Sequence, residues 1–480
     1  MTSLGTESNP LRVAIVGSGP SGFYAAQHLQ KQANLVVQID MFDRLPTPFG
    51  LVRGGVAPDH QTIKSVTKVY DKIAADPNFR FYGNVVIGKD ISHEEMAQLY
   101  HAVIYAVGAQ TDRRMGVPGE DLIGSHAATE FVGWYNAHPD YREHQFDLTQ
   151  ERVAVIGNGN VAMDVVRILA KTYDELKGTD IADYALEALK HSKVKEIYVF
   201  GRRGPAQAAF TNPEIKELGE LADTDIIVRP EEARLDALSL EDLERNHDPM
   251  AEKNVAILQE FARRINSDTG KLRQPKSRRI YMRFLASPVE LIGTERVEKI
   301  RIVKNELVSS PDGALRPKPT DWEQTIPVGL VFRSIGYKGV PLPGLPFDEK
   351  AGTIPNENGR VMNGATPVTG TYVVGWIKRG PSGIIGTNKP DSVESAEMLL
   401  QDMQADKLMS PGTPTREALE HLLTTRKPQW VSFADWQVLD RIEQAKGMAE
   451  DRLRVKFSRI DDMLKALAER KASKEHSTGD

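Results

Sequence analysis

A chain of 480 residues, 40% hydrophobic and 26% charged with a formal net charge of −5, is too long for one core. Its composition points to neither nucleic acid nor a membrane surface. It contains no cysteine, which excludes structural disulfides, cysteine-held iron–sulfur clusters and a redox-active Cys-x-x-Cys.

Any electron chemistry therefore runs through a bound organic cofactor or through a metal centre on another protein. No apolar run approaches the ~18 residues that would span a bilayer. The polar opening, residues 1–10, lacks the apolar core of a secretory signal, so a cytoplasmic location is expected.

In chain order, residues 11–16 read as a buried strand, 21–32 as a helix and 35–42 as a strand rich in Val and Ile. A loop heavy in Pro and Gly covers 45–59, followed by an amphipathic helix over 61–75 and a strand over 79–87. Another buried strand, 101–108, stops at Gly108. The alternation restarts at Glu151 with a strand, a long helix over 161–176, an inserted helix over 183–192 and a strand over 196–200. Residues 280–304 alternate as antiparallel strands would, and 328–335 and 371–374 read as short buried strands. Beyond Pro411 the chain turns helical and charged, with a disordered tail expected over 471–480. Strands alternating with helices predict an α/β fold with parallel sheets.

Two glycine-rich turns carry the strongest signal. The first, Gly17-Ser18-Gly19-Pro20-Ser21-Gly22, follows the opening strand and holds all three fingerprint glycines of a dinucleotide-binding turn. At the end of the next strand stands Asp43, placed to meet an adenosine ribose, with Asp40 as a mid-strand competitor. The N-terminal position favours FAD over a nicotinamide. A later turn between Gly375 and Thr387, with Trp376, Gly383, Ile384 and Ile385, follows a strand and could aim amides at the pyrimidine end of a flavin.

The second turn is Gly157-Asn158-Gly159-Asn160-Val161-Ala162, with the permitted Ala at the third glycine position. Its following strand ends in Gly201-Arg202-Arg203-Gly204, where an NAD site would carry a carboxylate. Two arginines there predict a 2′-phosphate, hence NADPH rather than NADH.

In this order, these strings resemble the adrenodoxin reductase-like ferredoxin–NADP(+) reductases, most closely their actinobacterial members. The resemblance covers residues 11–400. It also rests on Gly50-Leu51-Val52-Arg53 leading into Val56-Ala57-Pro58-Asp59-His60, and on Ala209-Phe210-Thr211 with Glu214. It implies two Rossmann-like domains: an FAD domain from residues 1–110 and 336–480, and an inserted NADP domain over 111–335. It further implies that Ser18, Asp43, Leu51, Val86, Trp376 and the Gly383–Ile385 turn touch FAD. Arg113, Asn158 to Val161, Arg202, Arg203, Glu214 and Gly383 would touch NADP. Asp43 departs from the Glu that close relatives tend to carry.

By residue type alone, His60 reads as a helix-flanking group and Glu214 as a first-turn helix carboxylate. The resemblance instead puts both beside the reacting rings, handling protons and positioning nicotinamide. The implied reaction passes hydride from NADPH to FAD and single electrons on to an acidic iron–sulfur ferredoxin. A basic docking face is expected at Lys271, Arg273, Lys276, Arg278, Arg279 and Arg283. A diaphorase with no dedicated protein partner fits the cofactor motifs equally well. A non-enzymatic, redox-sensing flavoprotein is the third reading, whereas dithiol reductases fall with the missing cysteines.

Overall fold

A computed structural model describes residues 3–264, 272 and 275–477. It divides into two compact units. One comprises Met1–Thr111, Asn136–Pro139 and Gly336–Asp480, the other Asp112–Tyr135 and Asp140–Ile335.

The first unit is built on Leu11–Val16, flanked by Val37–Phe42 and then Phe79–Tyr82 on one side. On the other side lie Ala102–Tyr105 and Thr366–Val373, all in parallel pairing. Two short strands, Arg360–Asn363 and Asn356–Glu357, extend the sheet antiparallel. All six residues of Leu11–Val16 are buried, which is why the strand reads as a nearly unbroken apolar run. The exception, Arg12, meets Asp40 at 2.6 Å. The same carboxylate accepts from the Tyr100 hydroxyl and from Arg416 Nε. Asp40 is thus a buried structural anion.

The helices Arg416–Arg426, Phe433–Ala449 and Ile460–Ser477 belong to this unit's core. Leu419, Leu423, Trp436, Leu439, Met463 and Leu467 are all buried against the sheet's own apolar residues. Phe49 and Trp436 pack edge to face at 5.8 Å. Glu443, fully buried, accepts from both terminal nitrogens of Arg53, at 2.9 and 2.5 Å, and from Phe457 N–H at 2.8 Å.

The second unit has a six-stranded parallel sheet. Its order is Ser125–Ala127, Leu330–Arg333, Arg152–Ile156, Glu196–Phe200, Arg278–Arg283 and Thr224–Val228. An antiparallel three-stranded sheet of Ala286–Ile292, Lys299–Ser309 and Leu315–Pro327 follows the fifth of these strands. Among the described residues, no helix is long and apolar enough to cross a membrane.

Several sequence expectations need correction. Arg278–Arg283 pairs parallel with both neighbours, and the antiparallel sheet begins only at Ala286. The 61–75 helix is Gln61–Lys64 and Thr67–Ala74, joined where Val66 and Lys68 N–H bond three residues back and tighten the turn. The 161–176 helix stops at Ala170, because Thr172 and Glu175 form a reciprocal capping box that starts Tyr173–Leu176 anew. The expected tail is helical through Ser477, and residues 478–480 lie outside the described residues.

Candidate functional site

Each glycine turn is shaped by contacts that only glycine allows. Gly17 has φ +107, and a Cβ there would sit 2.4 Å from Ala106 O. A Cβ on Gly22 would sit 2.4 Å from Gly17 O. Gly19 differs, because a Cβ there would meet nothing within 4 Å. It caps the helix Pro20–Gln30 with no side-chain hydrogen bond and no acidic residue in the first turn. The helix N-terminus therefore presents amides and positive dipole to open space, an arrangement suited to a pyrophosphate.

Asp43 is tied to this turn. Its Oδ2 accepts from Ser18 N–H at 3.1 Å and Ser18 Oγ at 2.5 Å, and its Oδ1 from Leu45 N–H at 2.9 Å. With Asp40 committed to Arg12, Tyr100 and Arg416, Asp43 is the strand-end carboxylate beside the turn. Its main chain accepts from Val85 N–H, which brings the half-buried Val86 alongside. Gly50, at φ +50, approaches so closely that a Cβ would lie 2.9 Å from Gly19 Cα. Leu51 follows with 47% of its surface exposed. Gly108, at φ +69, has open space where a side chain would stand.

The 375–387 turn docks on the same glycine turn. A Cβ on Gly375 would strike Ser21 Oγ at 2.2 Å. Ser21 Oγ donates to Asn388 Oδ1 at 3.1 Å, and Asn388 Nδ2 holds Ile385 O at 3.1 Å. Trp376 stacks on Tyr337 at 5.4 Å. Gly383, at φ +79, and Ile384 are exposed. Asp391 accepts from Gly375 N–H at 2.6 Å and from Lys378 at 3.1 Å. Asn388 and Asp391 are missed by motif reading. Their signal is two polar residues three apart at the start of a helix that follows a glycine-rich turn.

The second unit repeats the device. Gly157 has φ +120, and a Cβ there would lie 2.0 Å from Ser334 O, whereas a Cβ on Gly159 would meet nothing within 4 Å. Gly159 caps Asn160–Ala170 with no side-chain bond and no first-turn acid. Val161 follows in the first turn of that helix and is half-buried. Asn158 lies against Gly201, whose Cβ would sit 2.5 Å from its Nδ2. Asn160 Oδ1 accepts from Thr211 N–H at 2.8 Å, tying the turn to the start of the helix Asn212–Leu218 that carries Glu214.

Arg202 is exposed and Arg203 half-buried. Among the described residues, neither has a carboxylate within salt-bridge distance. Burial, and then the neighbouring Arg202 charge, lower the proton affinity of Arg203 below that of an ordinary arginine. A paired cation left without an anion at a strand end suits a phosphate.

His60 is half-buried in the first unit, at the start of Gln61–Lys64. Glu214 is buried in the second, and its Oε2 accepts from Arg167 Nη1 at 2.9 Å. Arg113 is exposed near the start of the second unit. Beside it Asp112 is half-buried, and its desolvation pushes its carboxyl up to about 6 despite the hydrogen bond from Thr129.

Of the six residues of the expected basic face, four are described, and three of these are engaged within the fold. Lys276 Nζ is spent on Leu221 O, Arg278 on the carbonyls of Ala170 and Lys171 that end a helix, and Arg283 on the buried Glu232. Lys276, Arg278 and Arg279 are each half-buried, and Arg279 lies 4.0 Å from Glu196. Lys271 and Arg273 lie outside the described residues. The charges that cluster in sequence are divided between the two faces of a strand and its flanks.

A family model described as pyridine nucleotide-disulphide oxidoreductase matches residues 11–198. The chain is 47% identical over 458 residues to the NADPH-ferredoxin reductase FprA of Mycobacterium leprae, covering 94% of this chain and 97% of that protein. It is 39% identical to the mitochondrial NADPH:adrenodoxin oxidoreductase of Homo sapiens, over 96% and 93% of the two chains. The solved structure of Mycobacterium tuberculosis FprA in complex with NADPH matches at a TM-score of 0.88 and 45% identity, over 96% of this chain and all of that one.

Proposed function

The chain belongs to the adrenodoxin reductase-like ferredoxin–NADP(+) reductases, and we propose how its own residues divide that work between the two units. It is an FAD-dependent oxidoreductase that passes electrons between NADPH and an iron–sulfur protein. The division rests on one observation. Both units carry an uncapped helix N-terminus with open space at the middle glycine, but one is followed by Asp43 and the other by Arg202 and Arg203.

FAD is assigned to the first unit and NADPH to the second. In the first, the amides after Gly19 would hold the FAD pyrophosphate, and Asp43 the adenosine ribose. Leu51, Val86, Trp376 and the Gly383–Ile385 turn would line the remainder of the flavin. When bound, FAD supplies the centre that exchanges hydride on one side and single electrons on the other.

In the second unit, the amides after Gly159 would hold the nicotinamide dinucleotide's pyrophosphate, and Asn158 and Asn160 would fix the turn. Arg202 and Arg203 would pair with the 2′-phosphate, and Arg113 would contribute a further cation. Glu214, ion-paired and buried, is suited to a fixed acceptor that orients the nicotinamide end rather than to a proton donor. His60 would hold or pass a proton at an imidazole nitrogen.

Two finer points complete the reading: the partner is an acidic ferredoxin, and the activity is cytoplasmic. The test is cytochrome c reduction with NADPH or NADH, with and without a bacterial ferredoxin, over a salt series. The reading expects fast turnover that prefers NADPH, needs ferredoxin and has a ferredoxin KM that rises with salt. Equal turnover without ferredoxin would make the enzyme a diaphorase instead.

A further inference from the structure

Nothing in the dinucleotide fingerprint explains why an antiparallel three-stranded sheet is inserted directly after the strand beside Arg202 and Arg203. Its contacts do. Gly201 N–H donates to Arg283 O at 2.8 Å. Just after the bend, Ala286 N–H donates to Gly201 O and Leu285 N–H to Arg203 O, each at 3.0 Å. Leu285 makes that bend at φ +51, a conformation a branched side chain adopts only under constraint. The main chain on both sides of Arg202 is thereby pinned.

The carbonyl between them, that of Arg202, is held by a side chain. Asn305 Nδ2 donates to Arg202 O at 2.8 Å and to Ser287 Oγ at 2.8 Å. Asn305 is only 3% exposed, and its own N–H donates to Leu285 O at 2.7 Å. It stands in Lys299–Ser309 just past a register shift between Val303 and Asn305. That irregularity moves the buried positions from Ile300 and Ile302 to Val303, Asn305 and Leu307. An asparagine is poorly suited to such a place: it is depleted in strands, and its Oδ1 is buried without a partner. A residue serving only to fill the core there would be Val or Ile.

We propose that Asn305 is a positioning residue for nucleotide choice, holding the Arg202 peptide so that Arg202 and Arg203 face one phosphate together. This rests on the assignment of those arginines to the 2′-phosphate. Fixing a peptide plane does not change what an arginine attracts. It reduces the freedom the pair must lose on binding, so its effect falls on the phosphate-bearing nucleotide alone.

The test replaces Asn305 by Leu, of similar size but without a donor, and by Ser as a smaller polar variant. KM and kcat are measured for NADPH and NADH with ferricyanide as acceptor. Binding of 2′,5′-ADP and of ADP is measured by calorimetry on the same holoenzyme. The expected result is a KM for NADPH and a Kd for 2′,5′-ADP raised about five- to tenfold, with NADH, ADP and both kcat values within about twofold. Equal losses for both nucleotides, or no loss for either, would overturn the inference. The Arg202→Ala/Arg203→Ala double variant, run in parallel, separates the two levels. If it too leaves the NADPH preference intact, the 2′-phosphate assignment has failed and the inference falls with it. If it abolishes the preference while the Asn305 variants do not, only the positioning role is refuted.

Discussion

Gly159→Ala separates folding from cofactor binding. Gly159 has φ −93 and ψ 178, ordinary extended backbone for alanine, and its Cβ would meet nothing within 4 Å. Two small folding terms oppose each other. Alanine restricts the unfolded chain, worth about 0.4–1 kcal/mol, and is a poorer N-cap than glycine by about 1 kcal/mol. The thermal midpoint should therefore move by no more than about 2 °C. Binding is another matter, because the methyl group occupies the space in front of the first-turn amides. Losing one hydrogen bond to a charged group costs about 1.5–3 kcal/mol, so nucleotide affinity should fall about 10- to 150-fold. NADPH and NADH should suffer alike, since they share the pyrophosphate. The assay is steady-state KM for both nucleotides beside a melting curve, with Gly157→Ala as the contrast. That variant forces φ +120 on alanine and puts its Cβ 2.0 Å from Ser334 O, so it should unfold well below wild type. A Gly159→Ala enzyme with wild-type KM for NADPH would refute the seating of the pyrophosphate at this turn.

Replacing Arg202 and Arg203 together by Ala should raise the KM for NADPH by about 30-fold or more and leave that for NADH nearly unchanged; steady-state kinetics with both nucleotides decides it. Asp112 gives a pH test by chemical denaturation. Its folded carboxyl titrates at about 6, above its ordinary 3.8, so the fold is penalised when the group is ionised. That penalty is complete above pH 6, shrinks as the pH falls through 6 and is absent below 3.8. Asp112→Asn keeps the oxygen that accepts from Thr129, and should stabilise the second unit by about 2 kcal/mol at pH 8 but not at pH 4. Glu443→Gln removes the buried counter-ion of Arg53 and should cost about 3 kcal/mol in thermal or denaturant unfolding. Because Arg53 follows Gly50 and Leu51, the same variant should release FAD faster during dialysis, read by flavin fluorescence.

What was legible in the sequence is what local chemistry dictates. An apolar strand, a glycine with no room for a side chain and a helix start are consecutive residues, so both turns could be found by eye. The Arg202–Arg203 pair was legible for the same reason, ending a strand recognisable by its own pattern. The sequence favours Asp43 over Asp40 only by its place at the strand end, because the deciding partners are remote: Arg12, Tyr100 and Arg416 satisfy Asp40 and leave Asp43 to the turn. The basic cluster reads as more open than its described members are, for a related reason. Neighbouring charges in a strand point to opposite faces, and Arg278 and Arg283 found carbonyls and a buried glutamate that no local pattern announces. The helices after Pro411 were legible as helices only. Their burial against Phe49 and Arg53 depends on a fold already closed by the first strands.

The two turns also differ where the fingerprint tolerates a difference, and the packing says why. The third position is Gly22 in the first unit, where a Cβ would lie 2.4 Å from Gly17 O and 3.2 Å from Ile15 Cγ2. In the second unit it is Ala162, fully buried with its methyl accommodated. The start of the first helix therefore leaves no room for a methyl group where the second accommodates one. Closeness there has a structural partner: Ser21, the residue before Gly22, donates to Asn388, and its carbonyl accepts from Ser392 Oγ at 2.9 Å. The helix Asn388–Gln404 thus packs on the N-terminal helix and carries the 375–387 turn down to the glycine turn with it. Among the described residues of its own unit, the second turn is met instead by the loop over 201–211 and by Ser334. The first turn is thus braced by a helix remote in sequence, and the second chiefly by the loop that follows its neighbouring strand. That is the asymmetry expected of a cofactor that stays and a nucleotide that comes and goes.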